Sequence, residues 1–64
     1  MIKILKTGTN NYGKWVCFEF LTDLMVINGI AKTNLDLEEK TYNNLTLVIN
    51  QRNSKISFNI IEKK

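Results

Sequence analysis

A chain of 64 residues with nine Lys and Arg, six Asp and Glu and no His carries a formal charge of +3, and at this length there is room for one domain, spanning 1–64, with a marginal core that buries only about 60% of its unfolded surface. Cys17 has no partner for an intrachain disulfide, and without His the usual zinc sets and the commonest catalytic base are missing. This excludes a disulfide scaffold and disfavours enzymatic chemistry; no cofactor or metal is expected, and self-association as a homodimer is the remaining route to more buried area. A lone thiol suits a reducing interior, and the longest apolar stretch, 24–27, is too short for a signal peptide or a membrane span. A soluble, cytoplasmic protein is therefore expected.

In chain order, the first strand is expected over 2–9, with Ile2 and Ile4 on one face and Lys3 and Leu5 on the other, ending near Gly8 and the Asn10-Asn11 turn. The second, 14–21, alternates most clearly. Val16, Phe18 and Phe20 form an apolar face, while Trp15, Cys17 and Glu19 project oppositely. Thr22-Asp23 closes a tight connection into a third strand over 24–32, in which Asn28-Gly29 reads as a bulge in preference to a second hairpin turn.

Residues 33–41 are polar and acidic and suit a loop or a single helical turn capped by Asn34 and carrying Leu35, Asp36, Leu37 and Glu38. A fourth strand over 42–50 alternates Leu45, Leu47 and Ile49 with Asn44, Thr46 and Val48. A fifth over 55–62 alternates Ile56, Phe58 and Ile60 with Ser57, Asn59 and Ile61, and 51–54 joins the two as a hairpin loop. Residues 63–64 read as a frayed tail. Five strands with a polar connection between the third and fourth predict an all-β fold: a small Greek-key barrel of the OB type, with an SH3-like barrel as competitor.

For function, Cys17 lacks a neighbouring base to make it a nucleophile and reads as a half-buried strand residue. Asp36, Glu38 and Glu39 lack the spacing and glycine of a calcium loop and read as a solvated acidic face. Trp15 is the residue on which the reading turns, because alternation sends its indole outward, where it stacks on a base, packs in a dimer interface or folds back over the open end of the core. Tyr12 and Tyr42 are weaker aromatic candidates. Lys14, Lys32, Arg52 and Lys55 are the cations that a shared groove would have to gather. Aromatics beside cations serve single-stranded nucleic acid: stacking adds about 1–3 kcal/mol per base without reading its identity, and cations follow the phosphates.

The opening strand Met1-Ile2-Lys3, the turn Tyr12-Gly13-Lys14-Trp15 and the hairpin across 42–61 resemble, in arrangement, the small OB-fold single-stranded-DNA-binding proteins of bacteriophages and related mobile elements. The resemblance implies a non-enzymatic, homodimeric module working inside an infected host cell. The positions that match the binding role of that group are Tyr12, Lys14, Trp15 and Arg52. With Tyr42, Lys32 and Lys55 added as the remaining aromatic and cationic candidates, the expectation is binding of single-stranded DNA, or RNA, with low sequence preference, by stacking on Tyr12, Trp15 and Tyr42 and by phosphate contacts from Lys14, Lys32, Arg52 and Lys55. The rival is a protein-interaction module that docks onto a host protein by its exposed aromatic face or a strand edge. A third reading is an enzyme subunit without an active site of its own.

Overall fold

The computed structural model describes residues 1–63 and is all-β, with no helix among them. Strand β1 (Ile2–Asn10) pairs antiparallel with β2 (Gly13–Leu21). The alternation of β2 decides which way it faces: Val16 and Phe18 are buried, and across the ladder Ile2 faces Phe20 and Ile4 faces Phe18. The register then slips between Ile4 and Lys6, leaving Leu5 as an extra, exposed residue. Beyond this bulge Lys6 faces Cys17 and Gly8 faces Trp15.

Strand β3 (Val26–Thr33) pairs with β2 in unbroken register from Lys14↔Thr33 to Leu21↔Val26. The bend expected at Asn28-Gly29 is therefore absent, and the bulge lies on β1 instead. Gly29 has another reason to be small: a Cβ there would stand 3.0 Å from Cε2 of Phe58, whose ring reaches over it. The tight β2–β3 connection is held by Thr22, whose hydroxyl donates to the Met25 carbonyl at 3.1 Å and accepts from the Met25 amide at 3.0 Å.

No helical turn forms in 34–40. Its backbone groups have other partners: the Leu35 amide donates to the Thr33 hydroxyl at 3.1 Å, the Glu38 amide to the Tyr42 hydroxyl at 2.8 Å, and the Lys40 amide to the Glu38 carbonyl at 2.8 Å. These satisfy in an extended path the donors that a helix N-terminus would leave free. The run expected as one strand over 42–50 is split. Strand β4 (Thr41–Tyr42) pairs with Ile2 and Lys3, whereas β5 (Leu45–Arg52) pairs with β6 (Lys55–Glu62). Asn53 and Ser54, at φ 50° and 65°, make the two-residue hairpin turn. Of the expected frayed tail, Lys63 is tied by its amide to the Asn44 carbonyl at 2.9 Å, and Lys64 lies outside the described residues.

The six strands form one sheet in the order β4-β1-β2-β3-β6-β5, antiparallel except for β3 and β6, which run parallel through Ala31–Thr33 and Phe58–Ile60. Its two outermost strands are consecutive in sequence. Only Asn43 and Asn44 separate Tyr42 from Leu45, so at that corner the edges lie within about 11 Å and the sheet curls. The concave side holds the core of Ile2, Ile4, Val16, Phe18, Ala31 and Ile60, closed by an edge-to-face contact of Phe18 with Phe58 at 5.3 Å. Thr33 is the buried polar residue, and its hydroxyl donates to the Ile60 carbonyl at 2.9 Å. No helix of the described residues is long and apolar enough to cross a membrane.

Candidate nucleic-acid interface

The convex face is organised by the β1–β2 turn. Asn10 Oδ1 accepts the Tyr12 amide at 2.8 Å, and Gly13 takes φ +120°, a conformation that side chains rarely tolerate. The turn therefore lifts Tyr12 clear of the sheet, with 88% of its surface exposed. Trp15 follows on the convex face, half-buried and outside the core cluster. Its indole packs against Gly8, the residue opposite it on β1: a Cβ there would run into Cζ2 and fall 2.6 Å from Cε2 and 2.9 Å from Cη2. One side of the ring is seated on backbone, which fixes its position.

On the other flank of Trp15, its partner in the β2–β3 ladder is Lys32, whose Nζ lies 6.0 Å from the centre of the Tyr12 ring. That is the outer limit of a cation–π contact. Tyr12, Trp15 and Lys32, with Ile30 and Ser57, line an open depression of about 370 Å³. A base laid against the aromatics there would have an ammonium group beside it for its phosphate.

The other candidate residues are placed differently. Lys14 also borders this depression, but β2 alternation puts it on the side of Thr9 and Thr33, where its ammonium pairs with Asp36. The hydrogen bond from Lys14, and then its charge, hold the Asp36 carboxyl below the usual aspartate range. Asp36 and Glu38 line a second depression with Thr7, Thr9 and Thr33, which Lys14 and Trp15 border as well. Tyr42 is on β4, beyond β1 from Trp15; it packs against the core, and Lys40 Nζ sits 5.1 Å from its ring centre. Arg52 and Lys55 flank the β5–β6 turn and face each other across it. Lys55 is four residues, about 13 Å, along β6 from Asn59, the partner of Lys32, but it adjoins Ile56 and Ser57, which line the depression, so the hairpin cations stand at its far end.

Two residues of the face escaped the sequence reading. Ile30, 64% exposed, lies opposite Cys17, and Ser57 borders the depression from β6. Ile30 was legible in principle, since it shares the outward register of β3 with Lys32; Ser57 was not, because the β3–β6 pairing that brings it there is long-range. Among the described residues no three His, Cys, Asp or Glu side chains converge as a metal site requires. Comparison with protein-family models, curated proteins and solved structures finds no match for this chain.

Proposed function

We propose that this chain is an OB-type module that binds single-stranded nucleic acid, DNA in preference, with little regard to sequence and without catalysis. The observation that carries the reading is the seated indole of Trp15 on the convex face, flanked by Lys32 and the exposed Tyr12 ring. OB modules take oligonucleotides on the face of their second and third strands and between the loops that follow the first and fourth. Trp15 is on β2, Lys32 on β3, Tyr12 in the first loop, and Arg52 and Lys55 flank the last hairpin turn.

The strand order supports the same assignment. If β4 and β5 are two halves of one strand interrupted at Asn43-Asn44, the order becomes first, second, third, fifth, fourth, with the third and fifth parallel, as an OB barrel requires. An SH3-like antiparallel meander has no such parallel pair. The phosphate contacts fall to Lys32, with Lys14 available once it leaves Asp36, and Arg52 and Lys55 serve a strand that runs on towards the hairpin. Tyr42 has no part in it, since its ring packs on the core and its hydroxyl serves the Glu38 amide.

Titration of oligo(dT), oligo(rU) and duplex DNA, followed by Trp15 fluorescence at two salt concentrations, tests the reading. Quenching by the single strands, weaker at high salt and weakest with duplex, is expected. Trp15→Ala should lower oligo(dT) affinity about 5- to 150-fold, the loss of one stack of about 1–3 kcal/mol. Lys32→Gln should flatten the dependence of log K on log[salt] by about 0.7, the slope for one phosphate contact on a single strand. Absence of quenching at low salt would overturn the proposal. A second reading, docking onto another protein, draws on Ile30 exposed in the middle of the face; binding partners retained after nuclease treatment and lost with Ile30→Glu would favour it.

A further inference from the structure

The two edges of the sheet are defended very differently. At one edge, β4 is two residues long, follows Lys40 and pairs with Lys3, and the strand behind it bulges at Leu5; short length, positive charge and a bulge are the means by which proteins keep an edge from pairing. At the other, β5 runs for eight residues, Leu45-Thr46-Leu47-Val48-Ile49-Asn50-Gln51-Arg52, with no proline, no bulge against β6 and no charge before its final residue. Among the described residues no backbone hydrogen bond reaches its free side.

Which groups stand free follows from the ladder. The Lys63 amide bonds the Asn44 carbonyl, so even-numbered residues of β5 face β6, and the amides and carbonyls of Leu45, Leu47, Ile49 and Gln51 point away from the sheet. We infer that this edge pairs with the β5 edge of a second copy of the chain, antiparallel about a two-fold axis through Val48. The sequence is self-complementary in that register. Leu47 meets the partner's Ile49, Thr46 meets the partner's Asn50, Leu45 meets the partner's Gln51, and Val48 meets its own copy, so apolar faces apolar at the centre and no two like charges are opposed. The four outward residues of each copy would exchange about eight interchain hydrogen bonds. Ile49, 53% exposed in the single chain, would gain a cover.

The pairing has a geometric consequence. A two-fold axis perpendicular to a sheet keeps each face on its own side, so both Trp15 residues would lie on one side of a continuous sheet, seven interstrand spacings or about 34 Å apart before twist. The dimer itself does not depend on what that face binds.

Sedimentation equilibrium over about a hundredfold range of protein concentration reads the assembly directly. The expected result is a species of twice the 7.4 kDa chain mass that dissociates on dilution. Val48→Lys, which sets two ammonium groups face to face at the axis, should give monomer with an unchanged circular dichroism spectrum. In a Cys17→Ser background, Val48→Cys should cross-link to a covalent dimer on mild oxidation, because residues paired without hydrogen bonds stand about 4.5 Å apart, within disulfide reach. Ser57→Cys, on β6, should not. A monomer at every concentration, an open polymer, or a dimer unaffected by Val48→Lys and not trapped by Val48→Cys would overturn the inference.

Discussion

The seat of Trp15 can be removed without touching any residue proposed to contact ligand. Gly8 has no unusual backbone conformation; what it supplies is room, since a Cβ would stand 2.6 Å from Cε2 of the indole where carbon atoms rest at about 3.5–4.0 Å. In Gly8→Ala the ring must therefore retreat by about 1 Å or more, and because it lies on an open face it swings outward into water. Two effects then oppose each other in stability. Gly→Ala at a compatible backbone position gains about 0.4–1 kcal/mol by restricting the unfolded chain, whereas crowding costs about 1–3 kcal/mol in a closed core and falls to the low end at a surface. The net change should stay within about 1 kcal/mol, or less than about 8 °C in melting temperature for a domain of this size. Binding should suffer more visibly. A displaced platform loses about 1 kcal/mol of a stack, a fivefold drop in oligo(dT) affinity, together with a red shift of Trp15 emission. Thr7→Ala, on the opposite face, should change neither. Unchanged emission and affinity in Gly8→Ala would refute the seating of the indole and its use as a stacking platform.

Other expectations are simpler. Thr33→Val strips a buried hydroxyl that bonds both the Ile60 carbonyl and the Leu35 amide, and should cost about 2 kcal/mol by urea unfolding. Tyr42→Phe removes the acceptor of the Glu38 amide and should cost about 1 kcal/mol while leaving oligo(dT) affinity unaltered. Asp36→Asn frees Lys14 and should steepen the salt dependence of binding by about 0.7. Lys14 lowers the Asp36 carboxyl, so the pair's contribution is complete above the ordinary aspartate pKa and is lost as pH falls through the lower folded value. Both groups are well exposed, so the wild type should exceed Asp36→Asn only slightly in urea midpoint near neutrality, and the margin should vanish in strong acid.

The strands legible in the sequence are those with an uninterrupted period of two. Val16, Phe18 and Phe20 marked β2 and the outward direction of Trp15, and β6 falls over 55–62 as its alternation indicates. What escaped was set by partners distant in the chain. The Leu5 bulge is invisible in Lys3-Ile4-Leu5-Lys6, because an apolar residue at an extra position looks like one in phase. The break at Asn43-Asn44 depends on Tyr42 finding Ile2 while Leu45 finds Glu62. At the candidate site, nearness in sequence misled: Lys14 adjoins Trp15 yet faces away from it, whereas Lys32, seventeen positions on, stands beside the indole because the β2–β3 ladder puts it there.

The extra residue in β1 sets the phase of everything that follows it on that strand. Were β1 to run at its full length without the bulge, in a single register from Ile4 opposite Phe18, Thr7 would stand opposite Trp15, Gly8 would move to the concave side, and Lys6 would exchange the neighbourhood of Cys17 for that of Val16. Loss of the bulge at constant length would thus rewrite the far half of the convex surface, installing a branched threonine where the indole needs bare peptide and driving an ammonium group against the apolar interior, whereas deleting Leu5 outright leaves Gly8 opposite Trp15. The bulge therefore serves the same seat as the identity at Gly8, and a related chain that keeps the tryptophan should either keep a bulge here or lack the extra residue altogether.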